Sequence, residues 1–163
     1  MSQNDFRFKQ FVVRQDRCAM KVGTDGVLLG SWVQPGNVER ILDIGTGTGL
    51  IALMMAQKSN AVVDAIDIDE DATRQAEENF SLSPWPVRLN ALHQSVQEFT
   101  AHTLHRYDLI VSNPPYFMGA HPAPSEARNL ARHMDDALSI EELAECVKKL
   151  LKPDGRFCVI LPF

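Results

Sequence analysis

The sequence predicts an α/β protein with a doubly wound, mostly parallel sheet, and two observations carry this prediction. From residue 41 onward, short apolar strand patterns alternate with helical ones, as in sheets covered by helices on both faces. A glycine-rich turn, GTGTG at 45–49, joins the first of these strands to a helix. We expect one domain over residues 1–163, with an N-terminal segment at 1–36 and a Rossmann-like core at 37–163.

Local patterns define the elements of the core. Apolar runs predict strands at 41–44, 62–66, 87–92, 107–111 and 156–161. An apolar run after the glycine turn predicts a helix, and an acidic start predicts another over 71–80. Ser139 and Glu142 form a capping-box signature before an amphipathic helix, which the turn KPDG at 152–155 is expected to end. The segment 117–138 has no clear period, which is typical of a lid or binding loop.

The composition is that of an ordinary soluble protein, with 45 % apolar and 23 % charged residues. No apolar run is long enough to cross a membrane, and the N-terminus is too polar for a secretory signal. The three cysteines lack a C-x-x-C spacing, which argues against a disulfide framework or zinc knuckle and favours the cytoplasm. His102 and His105 have no further ligand at a suitable spacing, so we expect no metal site.

Charge is distributed unevenly along the chain, whose net charge is −5. Residues 1–21 contain five basic and two acidic side chains, a net charge of +3, which leaves −8 for the remainder. A basic segment on an acidic body can contact phosphates. A solvated charged surface accounts for the same pattern equally well.

The glycine turn and an acidic residue after the second strand indicate an adenosine-containing cofactor. Gly45, Gly47 and Gly49 allow a tight turn and let backbone N–H groups approach a ligand closely. Their G-x-G-x-G spacing departs from the dinucleotide fingerprint, which has G-x-x-G after the first glycine pair. Asp67, at the tip of the second strand, suits a ribose with two free hydroxyls.

At these residues the chain resembles the class I S-adenosylmethionine-dependent methyltransferases. The D-x-G-x-G-x-G turn of that family matches 43–49, starting at Asp43, and its acidic residue after strand two matches Asp67. The resemblance implies that the glycines lie close to the methionine part of S-adenosylmethionine and that Asp67 binds the ribose. Ile68, next to it, is included among the expected cofactor contacts. The family often has an acid after strand three that contacts the adenine, and Ser95 stands at that place here.

The segment SNPPYF, after the predicted fourth strand, indicates the type of methyl acceptor. Asn113, Pro114, Pro115 and Tyr116 match the N-P-P-Y motif of methyltransferases that modify planar amino groups. By that resemblance, the Asn113 side-chain oxygen and the Pro114 carbonyl accept the amine's two N–H bonds, which localises its lone pair toward the sulfonium methyl. The prolines orient that carbonyl, and Tyr116 stacks on the target base. Asn113 is expected to contact the cofactor as well.

The N-terminal segment narrows the choice of substrate. The stretch FKQFVVRQDRCAMKVGTDGVLLGSW resembles the start of the bacterial tRNA adenine-N6 methyltransferases, which modify the adenine 3′ of the anticodon in a valine tRNA. The resemblance places Lys21, Thr24 and Asp25 in a loop that closes over the cofactor. Asp25 is also expected to cap the following helix. The implied partner is tRNA, contacted through the basic N-terminal segment, the 117–138 loop and Tyr116.

Two alternatives remain open from the sequence. The same N-P-P-Y motif occurs in enzymes that methylate a glutamine amide in release factors, so one alternative is a protein glutamine-amide N-methyltransferase. The other is an inactive cofactor-binding fragment, because the resembled fold ordinarily has two more strands after the fifth, where this chain stops. The last strand would then be an exposed sheet edge, through which we expect self-association.

Overall fold

The computed structural model describes residues 5–114 and 138–161 of the chain. The elements, in chain order, are β1 (Asp5–Arg7), β2 (Val12–Arg14), α1 (Thr24–Trp32), β3 (Arg40–Ile44), α2 (Leu50–Lys58), β4 (Val62–Asp67), α3 (Glu70–Ser81), a 3₁₀ turn (Pro86–Arg88), β5 (Leu89–His93), α4 (Val96–His102), β6 (Tyr107–Ser112), α5 (Ile140–Leu150) and β7 (Leu151–Val159). Within these ranges no helix is both long enough and apolar enough to span a membrane.

The central sheet has five parallel strands in the order β5-β4-β3-β6-β7. The chain runs outward from β3 through β4 to β5, and then returns to the other side of β3 to form β6 and β7. Ligands of open α/β sheets bind at such a reversal, beyond the carboxyl ends of the strands. The glycine turn follows β3 and Asn113 follows β6, so both lie at this reversal.

Alternating strand residues give the sheet an apolar core on each face. Ile41 and Val63 belong to a core shared with side chains of α1, α2 and α3. Leu42 and Ile66 belong to the opposite core, which includes side chains of α4 and α5. Each aliphatic side chain that is fully buried in this way contributes about 1.5–3 kcal/mol to folding. Helices therefore cover both faces of the sheet, and the predicted doubly wound parallel architecture is confirmed.

The N-terminal region contains two strands that the sequence patterns did not predict. β1 and β2 pair antiparallel, with Asp5 opposite Arg14. Val13 and Phe11 are buried in the core beneath α1, α2 and α3, so the hairpin is joined to the main domain. Three-residue strands are too short to show a clear alternation of apolar and polar residues, which explains why they were missed.

α1 packs closely against α2. A β-carbon on Gly30 would collide with the Met54 sulfur, so the two helices meet where glycine leaves room for the larger side chain. Lys58, at the end of α2, donates to the carbonyl oxygens of Gly30, Ser31 and Val33 over 2.7–2.9 Å. These bonds satisfy carbonyl groups at the end of α1, which have no partner within the helix itself.

Most element boundaries agree with the predictions, but two strands differ. The strand predicted at 87–92 begins only at Leu89, because Pro86–Arg88 forms a 3₁₀ turn, and the last strand differs as well. The capping box of Ser139 and Glu142 is confirmed at the start of α5. The prediction that residues 152–155 form a separate turn before a strand at 156–161 is wrong, because β7 begins at Leu151. Residues 152–155 lie inside the strand, at an irregularity where the pairing with β6 shifts register between Leu151 and Arg156. Gly155 makes this possible, since a β-carbon there would lie 2.9 Å from the Tyr107 carbonyl oxygen.

Candidate cofactor and substrate site

The three glycines of the turn have left-handed backbone conformations, but they serve different purposes. Their φ angles are 71° at Gly45, 54° at Gly47 and 81° at Gly49, a region that favours glycine. A β-carbon on Gly45 would have no atom within 4 Å, so the turn borders open space there. A β-carbon on Gly49 would lie 2.5 Å from a ring carbon of Phe80. Gly49 is therefore required for packing against α3, and Gly45 and Gly47 border the space for a ligand.

Asp67 connects the glycine turn to the tip of β4. Its Oδ2 accepts from the Gly47 N–H over 2.8 Å, and its Oδ1 accepts from the Asp69 N–H over 2.9 Å. The neighbouring turn residues Gly45 and Thr46 donate their N–H groups to the Ile66 carbonyl oxygen. Burial is the main cause that raises the pKa of Asp67 above its ordinary value. Each carboxylate oxygen retains a second lone pair that a ligand hydroxyl can use.

Asp43 lies beneath the same turn and is completely buried. Its Oδ2 accepts from the Thr46 hydroxyl over 2.7 Å and from the Ala52 N–H over 3.2 Å. Its Oδ1 is buried and has no hydrogen-bond partner among the described residues. Burial raises the pKa of Asp43 to about 7. A buried carboxylate oxygen without a donor suits a cationic group on a ligand.

The end of β6 brings the acceptor motif next to α1 and α2. The Ser112 hydroxyl donates to the Ile44 carbonyl oxygen over 2.9 Å, which ties the ends of β6 and β3 together. Asn113 and Pro114 follow and are partly buried. The Asn113 Nδ2 atom lies 3.7 Å from where a β-carbon on Gly26 would stand, and Leu50 Cδ2 lies 3.3 Å from the same point. Pro115, Tyr116 and the predicted loop up to residue 137 lie outside the described residues.

The predicted covering loop is at the start of α1, but one of its expected roles is wrong. Lys21, Thr24 and Asp25 are exposed, and Gly26, which follows them, is the residue beside Asn113. The N-cap of α1 is Gly23, with no side-chain capping bond. Asp25 does not cap the helix, because it lies inside the first turn and a capping side chain must precede the helix. Its charge there still suits the helix dipole.

At the other end of the site, Ser95 is engaged in a helix cap. Its hydroxyl accepts from the Glu98 N–H over 3.2 Å, and Glu98 accepts from the Ser95 N–H over 3.1 Å. This reciprocal pair starts α4 and uses the hydroxyl that was expected to approach the adenine. Ile68 is 57 % exposed, and its carbonyl oxygen lies 2.9 Å from His93 Nε2. The sequence motifs did not indicate His93, although a polar residue at a strand end was an available signal.

Cys18 is a second residue at the site that no sequence motif indicated. It is buried, and its sulfur lies 4.0 Å from where a β-carbon on Gly47 would stand. Burial, together with the charges of Asp67 and Asp69, raises its pKa to about 11. The side chain is therefore an uncharged thiol at neutral pH. No pattern in the sequence distinguished Cys18 from an ordinary core cysteine.

A separate cavity of about 600 Å³ beside β5 contains none of the predicted site residues. Asp64 is one of its polar lining residues, and the Asp64 Oδ2 atom accepts from Arg40 Nη2 over 2.8 Å and from the Tyr107 hydroxyl over 2.7 Å. Its Oδ1 accepts from the Asn90 amide over 2.8 Å. The charge of Asp64 is thus already compensated by protein groups, which marks the cluster as a structural one.

The residues at the sheet reversal fit S-adenosylmethionine. Gly45 and Gly47 leave open space beside exposed backbone, Asp43 offers a buried oxygen to an ammonium group, and Asp67 offers a carboxylate to a ribose. All of these groups lie on β3, β4 or the turn between β3 and α2. Among the described residues, no three His, Cys, Asp or Glu side chains come together as metal ligands would.

Comparison with known proteins decides the family. A family model described as the methyltransferase small domain matches residues 20–161. The chain belongs to the methyltransferase small domain family. This confirms the resemblance to class I S-adenosylmethionine-dependent methyltransferases stated from the glycine turn.

Several curated relatives in this methyltransferase family share about half of their residues with the chain. A protein of Parabacteroides distasonis is 53 % identical over the whole chain, which covers 68 % of that relative. A protein of Phocaeicola vulgatus is 54 % identical over 96 % of the chain and 66 % of the relative, and one of Yersinia enterocolitica is 50 % identical over 96 % and 63 %. Each is named tRNA1(Val) (adenine(37)-N6)-methyltransferase. The chain spans about two thirds of the length of these relatives.

Solved structures agree with the fold of this methyltransferase family. A SAM-dependent methyltransferase from Agrobacterium tumefaciens superposes with a TM-score of 0.66 over 93 % of this chain and 49 % of its own, at 15 % identity. One from Thiobacillus denitrificans, in complex with S-adenosyl-L-homocysteine, superposes with a TM-score of 0.59 over 85 % of this chain and 48 % of its own, at 17 % identity. At such low identities the likeness concerns the fold.

Proposed function

We propose that this protein transfers a methyl group from S-adenosylmethionine to the N6 amine of an adenine in tRNA, the one beside the anticodon of a valine tRNA. The observation that carries the proposal is the position of Asn113 at the end of β6, next to α1 and to the start of α2, across the sheet reversal from the glycine turn. The names of relatives that are at least 50 % identical support the same substrate.

The cofactor would be held between the glycine turn and the tip of β4. Asp43 would accept from its ammonium group and Asp67 from its ribose, with Gly45 and Gly47 against its methionine part. Lys21, Thr24 and Asp25 would cover it from α1, and Ile68 and Ser95 would lie on its adenine side. Bound there, S-adenosylmethionine supplies an electrophilic methyl group on a sulfonium centre.

The chain's part in the reaction is to orient the amine. The lone pair of an exocyclic amine is delocalised into the base, so the nitrogen is a weak nucleophile. The Asn113 side-chain oxygen and the Pro114 carbonyl oxygen would accept its two N–H groups and localise that lone pair, and Tyr116 would stack on the base. Alignment and fixed dipoles supply the rate enhancement, so no strong general base is required.

The RNA would lie along the N-terminal face of the protein. Arg7 and Lys9 are exposed on the β1–β2 hairpin. Arg14 and Arg17 are near Glu78, which lies 2.5 Å from Arg14 Nη1 and 3.9 Å from Arg17 Nη2. Because Glu78 partly compensates this second pair, we assign the larger share of phosphate binding to Arg7 and Lys9. With tRNA as the substrate, we expect the protein to act in the cytoplasm.

The test is radiolabelled methyl transfer by the 163-residue chain into total tRNA that lacks this modification. The expected product is N6-methyladenine in a valine tRNA. Asn113→Ala is expected to abolish transfer while leaving S-adenosylhomocysteine binding nearly unchanged, and Asn37→Ala, in an exposed loop after α1, is the matched control. Transfer to a release-factor glutamine instead of tRNA would support the glutamine-amide alternative. Cofactor binding without transfer to either acceptor would support the inactive fragment.

A further inference from the structure

A buried amide on α3 connects the N-terminal region to the glycine turn. Asn79 is 1 % exposed. Its Oδ1 accepts from the Arg14 N–H over 2.9 Å, and its Nδ2 donates to the Arg14 carbonyl oxygen over 2.9 Å and to the Thr48 carbonyl oxygen over 2.8 Å. One side chain thus makes both backbone bonds of a residue in β2 and also bonds the turn that borders the cofactor site.

A second buried amide lies one helical turn earlier on the same face of α3. Gln75 is completely buried, and its Oε1 accepts from the Arg17 N–H over 2.9 Å. Its Nε2 has no hydrogen-bond partner among the described residues. Burying an amide that makes so few bonds costs stability. An apolar side chain of the same size would avoid the unpartnered Nε2 but would lose the bond that holds Arg17.

The residues held by these two amides lead directly to the glycine turn. Segment 14–18 begins at Arg14, is bonded again at Arg17, and ends at Cys18, whose buried sulfur faces Gly47. The Arg14–Glu78 ion pair at the start of the segment is exposed, so it adds little to this attachment. The segment is therefore held by the hydrogen bonds from the side chains of Asn79 and Gln75 and by the contact at Gly47.

We infer that Asn79, with Gln75, is a positioning residue that holds segment 14–18 as one wall of the cofactor site. A wall that is already in place lets the cofactor bind without the entropy cost of ordering it, and a loosened wall adds that cost to binding. This inference rests on the cofactor part of the proposed function and not on its tRNA part.

Three variants and three measurements test this inference. Asn79→Ala removes all three bonds, Gln75→Met removes the single bond to Arg17, and Thr73→Val is the control. Thr73 is a buried residue of α3 whose hydroxyl, among the described residues, bonds only the carbonyl of Asp69, the N-cap of the same helix. The affinity for S-adenosylhomocysteine is measured by calorimetry at a temperature where each variant is folded. Amide hydrogen exchange is measured for residues 12–18, and thermal unfolding for the whole chain.

We expect Asn79→Ala and Gln75→Met to bind S-adenosylhomocysteine about tenfold more weakly and to exchange faster over residues 12–18. Thr73→Val is expected to lower the unfolding temperature with unchanged affinity. Gln75→Met also removes the unpartnered Nε2, so its unfolding temperature is expected to change little while its affinity falls. If these residues were merely structural, affinity would fall only where the unfolding temperature also falls. A lower affinity at an unchanged unfolding temperature therefore distinguishes a positioning role.

Wild-type affinity in Gln75→Met and in folded Asn79→Ala would overturn the inference, as would faster exchange without weaker binding. If Asn79→Ala does not fold, Gln75→Met alone decides. An unmodified chain that binds S-adenosylhomocysteine but does not methylate tRNA would refute the proposed function and leave these comparisons valid. An unmodified chain that does not bind S-adenosylhomocysteine would overturn both.

Discussion

The Gly47 N–H group donates to Asp67 Oδ2 over 2.8 Å, so one carboxylate fixes the glycine turn and is also the group expected to bind the cofactor ribose. The other oxygen of Asp67 accepts from the Asp69 N–H and orders the start of α3. The turn, the tip of β4 and the ribose contact therefore depend on one side chain. A substitution of Asp67 will change the shape of the site as well as remove a ligand contact.

Asp67→Ala is expected to weaken S-adenosylhomocysteine binding by about 1–3 kcal/mol, because a ribose hydrogen bond is lost. It is also expected to lower the free energy of unfolding, because two backbone N–H groups lose their acceptor. Asp67→Asn keeps one acceptor oxygen and should show smaller changes in both quantities. Calorimetric titration and urea denaturation measure them. Unchanged affinity in Asp67→Ala would remove Asp67 from the site.

Alanine substitutions at Gly45 and Gly49 should separate backbone strain from packing. Both residues have positive φ, so each substitution costs about 1–2 kcal/mol of strain. Gly49→Ala also drives a methyl group into Phe80, so it should cost about 1–3 kcal/mol more in the free energy of unfolding. Gly45→Ala should instead weaken S-adenosylhomocysteine binding, because its methyl group enters the open space. Equal stability losses in the two variants would contradict the assignment of Gly49 to packing.

The buried Asp43 is expected to make stability depend on pH. Burial raises its pKa to about 7 from an ordinary value of 3.8, so between these values the folded protein holds a proton that the unfolded chain has released. The contribution of Asp43 to stability is therefore full below about pH 4 and is lost as the pH rises toward 7. Between pH 5 and pH 8 the wild type should lose a few kcal/mol relative to Asp43→Asn. Urea denaturation at both pH values measures this, and parallel pH profiles would contradict the raised pKa.

The sequence was sufficient to predict the strands of the core and its helices α2, α3 and α5, because their signals are local, whereas α4 was not predicted. The strand predicted at 62–66 is Val62–Asp67, and the helix predicted at 71–80 is Glu70–Ser81, since an apolar run or an acidic start marks each of them. The glycine turn and the position of Asn113 at the sheet reversal followed from motifs that occur beside known element types. Such features need no knowledge of distant contacts.

What the sequence could not supply depends on contacts between distant residues. The β1–β2 hairpin exists because Phe11 and Val13 bury themselves in the main core and α3 holds β2. The purpose of Gly49 depends on Phe80, and the place of Cys18 depends on Gly47, each in another part of the chain. The capping bond that occupies Ser95 was readable from S-x-x-E, but the resemblance to an adenine contact directed attention elsewhere.

The β1–β2 hairpin should bind tRNA phosphates through two basic residues. Substituting both Arg7 and Lys9 by alanine is expected to weaken tRNA binding and to lower the slope of log K against log salt concentration by about 2. Substituting Arg14 and Arg17 should lower the slope less, since Glu78 partly compensates both side chains. Fluorescence anisotropy with labelled tRNA at several salt concentrations measures the slopes. Equal slopes in the two double variants would contradict this division.

The last prediction concerns β7, which lies at the edge of the sheet. β7 pairs with β6, and within the described residues no strand lies on its outer side. The Ile160 N–H points inward to the Ser112 carbonyl oxygen, so strand alternation directs the Val159 N–H outward. The side chains of Phe157, Cys158, Val159 and Ile160 are all partly exposed. An edge of this kind offers unpaired N–H and C=O groups to another chain, so we expect the 163-residue protein to self-associate.

Val159→Pro tests whether β7 is the surface of self-association. Proline removes the outward N–H and is tolerated on edge strands, so the variant should remain folded and associate less. Val159→Thr is the matched control, because it keeps the N–H group and the branched side chain. Light scattering over a range of concentrations should show larger particles for the wild type and Val159→Thr than for Val159→Pro. If all three proteins remain monomeric at every concentration, or associate to the same extent, β7 is not the surface through which the chains associate.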